Sequence, residues 1–255
     1  MNTTFMTGIK MADVKGFVWQ HVLLTMSLFI MTLGVALSVR SALGSSVIST
    51  IPFVMTLAGN HDLIPALTIG EWTYVMNFLL VGLQIAVLRN RFESQQLFQL
   101  LIGFLFGWLL DVNMALTAPL PLDGMTAKIL AQFMGCTILG IGIAFEIKCG
   151  SVTMPGEGLP AAICKLTGAS FPKVKIIVDI CLVAVAVILG YLFFGQWLWQ
   201  VVGAGTLFAM LYVGAVVKGI TPRIAWFDRI LCYRPGVRRY LYGLAEYLNS
   251  KLKRW

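Results

Sequence analysis

The stretch Met154-Pro155-Gly156-Glu157-Gly158-Leu159-Pro160 interrupts a chain that is otherwise built of long apolar runs. Two prolines, two glycines and a carboxylate in seven residues cannot continue an ordinary membrane-spanning helix. Around it, residues 149–164 add Gly150, Ser151 and Thr153, so the segment is too short and too broken to cross a hydrocarbon core of ~30 Å. A second segment of the same character lies upstream: Ala42 to Gly59 carries Gly44, Ser45, Ser46, Ser49, Thr50 and Pro52.

The chain of 255 residues is 58% hydrophobic and 12% charged, against about 25% charged in an average soluble domain. The apolar residues come in blocks of about 20, which excludes a soluble, disordered or disulfide-scaffold chain. Stretches with at most two charges predict spans at 17–39, 72–88, 96–116, 127–147, 176–194 and 197–217. The apolar run from Phe17 to Val39 lacks a short signal-like core with a small-residue cleavage site and reads as an uncleaved first span.

Basic residues choose between six crossings and eight. With six, Lys10, Lys15, Arg89, Arg91, Lys148, Lys165, Lys173, Lys175 and the C-terminal tail share the cytoplasmic side, leaving only Arg40 and Lys128 outside. Eight crossings would put Arg40, Arg89, Arg91 and Lys148 outside. The expected fold is therefore an all-α, polytopic membrane helix bundle with six spans and two re-entrant broken segments. Its parts are a cytoplasmic N-terminus (1–16), a membrane domain (17–218) and a basic tail (219–255).

A shift of 108 residues aligns Met26 with Met134, Ile30 with Ile138, Gly34 with Gly142, Ala36 with Ala144 and Pro52 with Pro160. Val39-Arg40-Ser41 then lies over Ile147-Lys148-Cys149. A shift of 102 pairs Asn77 with Asp179, Gly103 with Gly205 and Phe106 with Phe208. The two halves, about 17–116 and 127–218, read as an inverted internal repeat with three crossings each. Secondary transporters commonly place their site at such an interface, where interrupted helices aim their ends at the substrate. Irregular backbone at membrane depth must be satisfied by other protein or by a wet cavity.

The candidate lining follows from these segments. Gly44, Ser45, Ser46, Ser49 and Thr50 offer hydroxyls beside one half-helix start, and Pro155, Gly156, Glu157 and Gly158 form the other, with a short helix expected from about Glu157 to Lys165. Two helix N-termini favour an anion or the carboxylate of a zwitterion. Arg40 and Lys148 read either as its counter-charges or as interfacial anchors that snorkel. Asn77 is the polar counterpart of Asp179.

Acidic residues pull the other way. A carboxylate at mid-span costs ~2.5 kcal/mol or more on insertion, so Glu157 and Asp179 are candidates for proton or ion coupling. The competing readings are that Glu157 caps its own helix and that Asp179 pairs with Lys175, four residues earlier. Glu146, near Lys148, ranks below them as a locally paired acid, and Asp111 reads as solvated.

Neither His21 nor His61 has metal-ligand spacing, and no catalytic triad, nucleophile elbow or phosphate loop occurs. No enzyme activity, cofactor or metal is expected. Five cysteines without a CxxC pair read as packing residues. Of the +8 net charge, most sits beyond residue 217, where nine basic residues face only Asp228 and Glu246. That distribution fits anionic lipid headgroups rather than nucleic acid. Thr221 to Leu231 is expected to continue as a helix. Val237, Leu241, Leu244, Leu248 and Leu252 form an apolar stripe suited to lying on the membrane surface.

The stretch from Gly34 to Ser46 with Ile48, Ser49 and Pro52, and the later Pro155-Gly156-Glu157-Gly158-Leu159 followed by Lys173 to Asp179, resemble the YczE/YitT-like family of bacterial integral membrane proteins. The likeness covers most of residues 20–218. Members often carry Ser-Pro where this chain has Ser46-Val47. The resemblance implies a protein of the bacterial cytoplasmic membrane and brings no established activity; transport is inferred from architecture. The expected function is a carrier or facilitator of a small polar or anionic solute, with both termini in the cytoplasm. Rival readings are a membrane-embedded capture subunit that needs an energising partner, and a structural or regulatory membrane protein; the oligomeric state stays open.

Overall fold

The computed structural model describes residues 11–92, 94–149 and 154–230. Among these the chain is all-helical, with nine α-helices: α1 (Met11–Arg40), α2 (Val47–Asn60), α3 (Ile69–Leu88), α4 (Phe98–Leu116), α5 (Met125–Cys149), α6 (Pro155–Thr167), α7 (Phe171–Phe194), α8 (Ala204–Ile220) and α9 (Ala225–Ile230). Six helices are long and apolar enough to cross a membrane, drawn from α1, α3, α4, α5, α7 and the α8–α9 region. At ~1.5 Å per residue, the 14 residues of α2 and 13 of α6 reach only ~20 Å and cannot span a ~30 Å core.

Element boundaries follow local chemistry. Thr68 and Glu71 close a reciprocal capping box at the start of α3: Glu71 N donates to Thr68 Oγ1 at 3.1 Å and Thr68 N to Glu71 Oε2 at 2.8 Å. Asp111 of α4 joins this cap, accepting from Thr68 Oγ1 at 2.6 Å and from Gly70 N at 2.8 Å. It is a tie between α3 and α4 rather than a merely solvated acid. α7 starts at Phe171, five residues before the expected boundary, because Lys173 and Lys175 sit within its first turns. α8 starts at Ala204, seven residues later than expected, because residues 195–203 form a turn. Past α8 a 3-10 turn at Thr221–Ile224 replaces the expected continuous helix before α9. The stripe at 237–252 and Thr153 lie outside the described residues.

Helix ends sort onto two faces. Arg40 at the end of α1 reaches Thr117 and Met114 at the end of α4, and His61 after α2 meets Phe194 at the end of α7, with ring centroids 5.5 Å apart. Asp111 brings the start of α3 to that same face. On the opposite face, Trp19 near the start of α1 donates to Ile230 O at 2.8 Å, and Gln20 donates to Cys149 O at the end of α5. Each short helix is thus flanked in sequence by long-helix ends on one face: α2 by α1 and α3, α6 by α5 and α7.

Contacts recur at a spacing of 108. Gly34 lies against Leu139 so closely that a Cβ there would stand 2.8 Å from Leu139 Cα; Gly142 lies against Met31, where a Cβ would stand 2.9 Å from Met31 Cα. Gly142 is Gly34 plus 108, and Leu139 is Met31 plus 108. The exchange extends to whole elements: α1 packs on α5, α2 packs on α7 while α6 packs on α3, and α1 packs on α4 while α5 packs on α8. The main apolar core joins Leu28, Met31 and Val35 of α1 with Ile102, Phe106 and Leu110 of α4 and Leu139 and Ala144 of α5.

Candidate functional site

Both short helices begin the same way. Ser46 caps α2 with φ −61° and ψ 146°, and Met154 caps α6 with φ −60° and ψ 152°; neither cap uses a side-chain hydrogen bond. Pro155 occupies the first position of α6 and Val47 the matching position of α2, so the helix start survives without a proline in the first half. Each helix carries a proline at its sixth residue, Pro52 and Pro160. An interior proline has no N–H to offer the carbonyl four residues back, which leaves the carbonyls of Ile48 and Gly156 without that partner. These two residues also touch. A Cβ on Gly156 would lie 3.4 Å from Ile48 Cγ1 and nearer still to Cδ1.

In the first half the hydroxyls turn back onto the protein. Ser46 Oγ pairs with Ser49 Oγ at 2.8 Å, Ser49 Oγ also donates to Ser46 O, and Thr50 Oγ1 donates to Val47 O at 2.8 Å. The approach to α2 is stitched to the turn before α8: Ser45 N donates to Val201 O at 2.9 Å and Gly205 N to Leu43 O at 2.8 Å. Gly44 has φ +117°, and a Cβ there would stand 2.7 Å from Gly203 N, so only glycine fits. Behind this seam, Gln132 of α5 accepts from Ser38 Oγ at 3.0 Å and Ser41 Oγ at 2.8 Å and donates to Gly205 O at 2.8 Å. The hydroxyl-bearing segment is therefore closed.

The second half is different. Around the first turn of α6, Gln84 of α3 donates from Nε2 to Gln99 Oε1 at 3.1 Å and to Pro155 O at 3.4 Å. Gly158 leaves room for this pair, since a Cβ would stand 2.5 Å from Gln99 Oε1 and 2.8 Å from Gln84 Oε1. Glu146 of α5 is 5% exposed and lies beside Met154, and neither carboxylate oxygen has a hydrogen-bond partner within ordinary distance and angle. It is buried rather than paired at an interface. Glu157 lies within electrostatic reach of Glu146 on one side and of Lys175 and Asp179 on the other. Lys175 Nζ sits 2.7 Å from Asp179 Oδ1, so the charge of Asp179 is committed to its own helix.

Arg40 is committed as well. Its Nε donates to the Thr117 hydroxyl at 2.9 Å and its guanidinium to Met114 O at 2.6 Å, which satisfies one carbonyl in the last turn of α4. Lys148 is half-buried in the last turn of α5. Asn77 is buried against Gly103, donating to its carbonyl at 3.4 Å, and joins α3 to α4. No group of three or more His, Cys, Asp or Glu side chains among the described residues is placed to hold a metal ion. A small apolar crevice between α2, α7 and the turn before α8 is lined by Val54, Ala186, Gly190, Trp197 and Val201 and includes none of the expected site residues.

Sequence reasoning singled out Glu146 and Glu157 but missed Gln84, Gln99 and Gln132. The available signal was a neutral amide inside an otherwise apolar span, where an unsatisfied polar group is costly.

No curated protein and no solved structure matches the chain. One family model does, over residues 18–222, which takes in every helix of the bundle from the body of α1 through α8. The chain belongs to the family described as "Family of unknown function (DUF6198)".

Proposed function

We propose that this membrane protein is a small carrier or facilitator that moves a polar solute across the bacterial cytoplasmic membrane without altering it chemically. In this reading α2 and α6 enter from opposite faces and return, and the two halves are related as inverted repeats. The observation that carries it is the meeting of Ile48 and Gly156, equivalent residues under the 108 shift, at the first turns of two helices too short to cross. The reciprocal packing of α2 on α7 and α6 on α3 supports the same relation, because each short helix rests on the opposite half. With the hydroxyls turned inward and Ile48 against Gly156, this conformation is the closed one. Opening requires α2 and α6 to part.

The basic residues support cytoplasmic termini, and the resemblance to YczE/YitT-like proteins agrees with a bacterial inner-membrane setting. Glu157 is the coupling candidate, with Glu146 beside it. The test is uptake into proteoliposomes across a panel of small polar solutes, comparing the wild type with Glu157→Gln. Solute-specific uptake lost in the variant supports the reading; a folded wild type that moves nothing in any imposed gradient overturns it.

The inward-turned hydroxyls favour one rival, a structural membrane protein without a solute. That rival predicts that Gly156 and Gly158 tolerate larger side chains in every assay except stability.

A further inference from the structure

We propose that the first turn of α6 is a binding site for a small monovalent cation, an alkali ion or ammonium, formed by oxygen atoms from α3, α5 and α6. Gln84 is fully buried. The Pro155 carbonyl can only accept, so the Gln84 amide must point its nitrogen there, and this fixes the placement of Oε1. That Oε1 has no hydrogen-bond partner. Both oxygens of Glu146, held beside Met154 one residue before Pro155, have none either. The Gly156 carbonyl lacks its helical donor because Pro160 stands four residues on. What this turn leaves over is thus acceptors.

Donors are scarce at the same place. Pro155 has no N–H, and the N–H groups of Glu157 and Gly158 both bond to Met154 O. An anion drawn to the helix start finds few hydrogens and a buried carboxylate in its way. The nearby cation, Lys175, is already 2.7 Å from Asp179. A hard monovalent cation suits carbonyl, amide and carboxylate oxygens, and one bound ion would satisfy groups that are costly to bury alone. Gly158 keeps the space open, since a side chain there would press on both amides. The site names the coupling ion for the proposed carrier and rests on that reading only for its role; binding itself requires no transport.

The test is thermal unfolding of the purified full-length protein in nanodiscs, at fixed pH and ionic strength, with choline chloride replaced stepwise by sodium, potassium or ammonium chloride. One or more of these cations should raise Tm saturably, by about 5 °C at a hundredfold excess over Kd. Glu146→Gln and Gln84→Met should abolish the rise, and Gly158→Ala, which keeps every ligand but crowds the site, should weaken it at least tenfold. Equal Tm in all four salts overturns the proposal. So does stabilisation by lower pH without any cation dependence, which would make Glu146 a proton site only, and so does a rise with sodium that all three variants retain. A cation-specific rise in a protein that transports nothing would leave this site standing and remove the carrier reading.

Discussion

Ile48 and Gly156 stand 108 residues apart and meet side chain to backbone at the starts of α2 and α6, where a Cβ on the glycine would press on the Ile48 Cδ1 methyl. Gly156→Val should push the two helices apart, costing about 1–3 kcal/mol of stability. Ile48→Ala should recover most of that loss, a coupling readable in a double-mutant cycle of thermal unfolding. Additive losses would mean that the contact is incidental.

Gln132 binds Ser38 and Ser41 at the end of α1 and the Gly205 carbonyl, with a longer bond to Cys136 Sγ. Replacement by leucine strands them in a buried setting, and a loss of about 2–4 kcal/mol is expected. A cysteine placed at Ser45 should then become accessible to a membrane-impermeant thiol reagent, because the seam to Val201 loosens. Unaltered protection would show that the backbone bonds suffice.

Arg40→Met should lower stability by about 1–2 kcal/mol through the exposed end of α4, with transport affinity unchanged. A rise of tenfold or more in the KM for uptake would instead make Arg40 a substrate counter-charge.

Asp179→Asn should reduce transport less than threefold, since its carboxylate answers Lys175, whereas Glu157→Gln should abolish it. The pair is partly exposed, with side chains 30% and 12% accessible, so breaking it should cost no more than about 1 kcal/mol. Equal losses in uptake from the two variants would return Asp179 to the coupling machinery.

Much of this arrangement was legible in the chain because membrane spans announce themselves by length and apolarity. All six long helices overlap the apolar runs that predicted them, and α6 begins only two residues before the expected Glu157, since Pro155 takes the first helical position without losing a bond. Boundaries slipped where a charge was read as a stop: Lys173 and Lys175 belong to α7, because long basic side chains can reach from a helix end to the interface. The site was harder to read. Acids stand out in an apolar sequence, whereas Gln84, Gln99 and Gln132 do not, and their importance depends on which carbonyls they face across the bundle. Arg40 and Asp179 look alike as charges set against apolar spans until their partners are known.

Of all the spans, α1 has the most buried surface, yet α2, its successor in the chain, gives it little cover. Its main companions are α4 and α5, which follow only at residues 98–116 and 125–149. During synthesis the first span must therefore wait in lipid, its glycine-bearing face uncovered, until most of the polypeptide has emerged from the ribosome. Truncation before residue 125 should leave an inserted but unassembled fragment, prey to quality-control proteases.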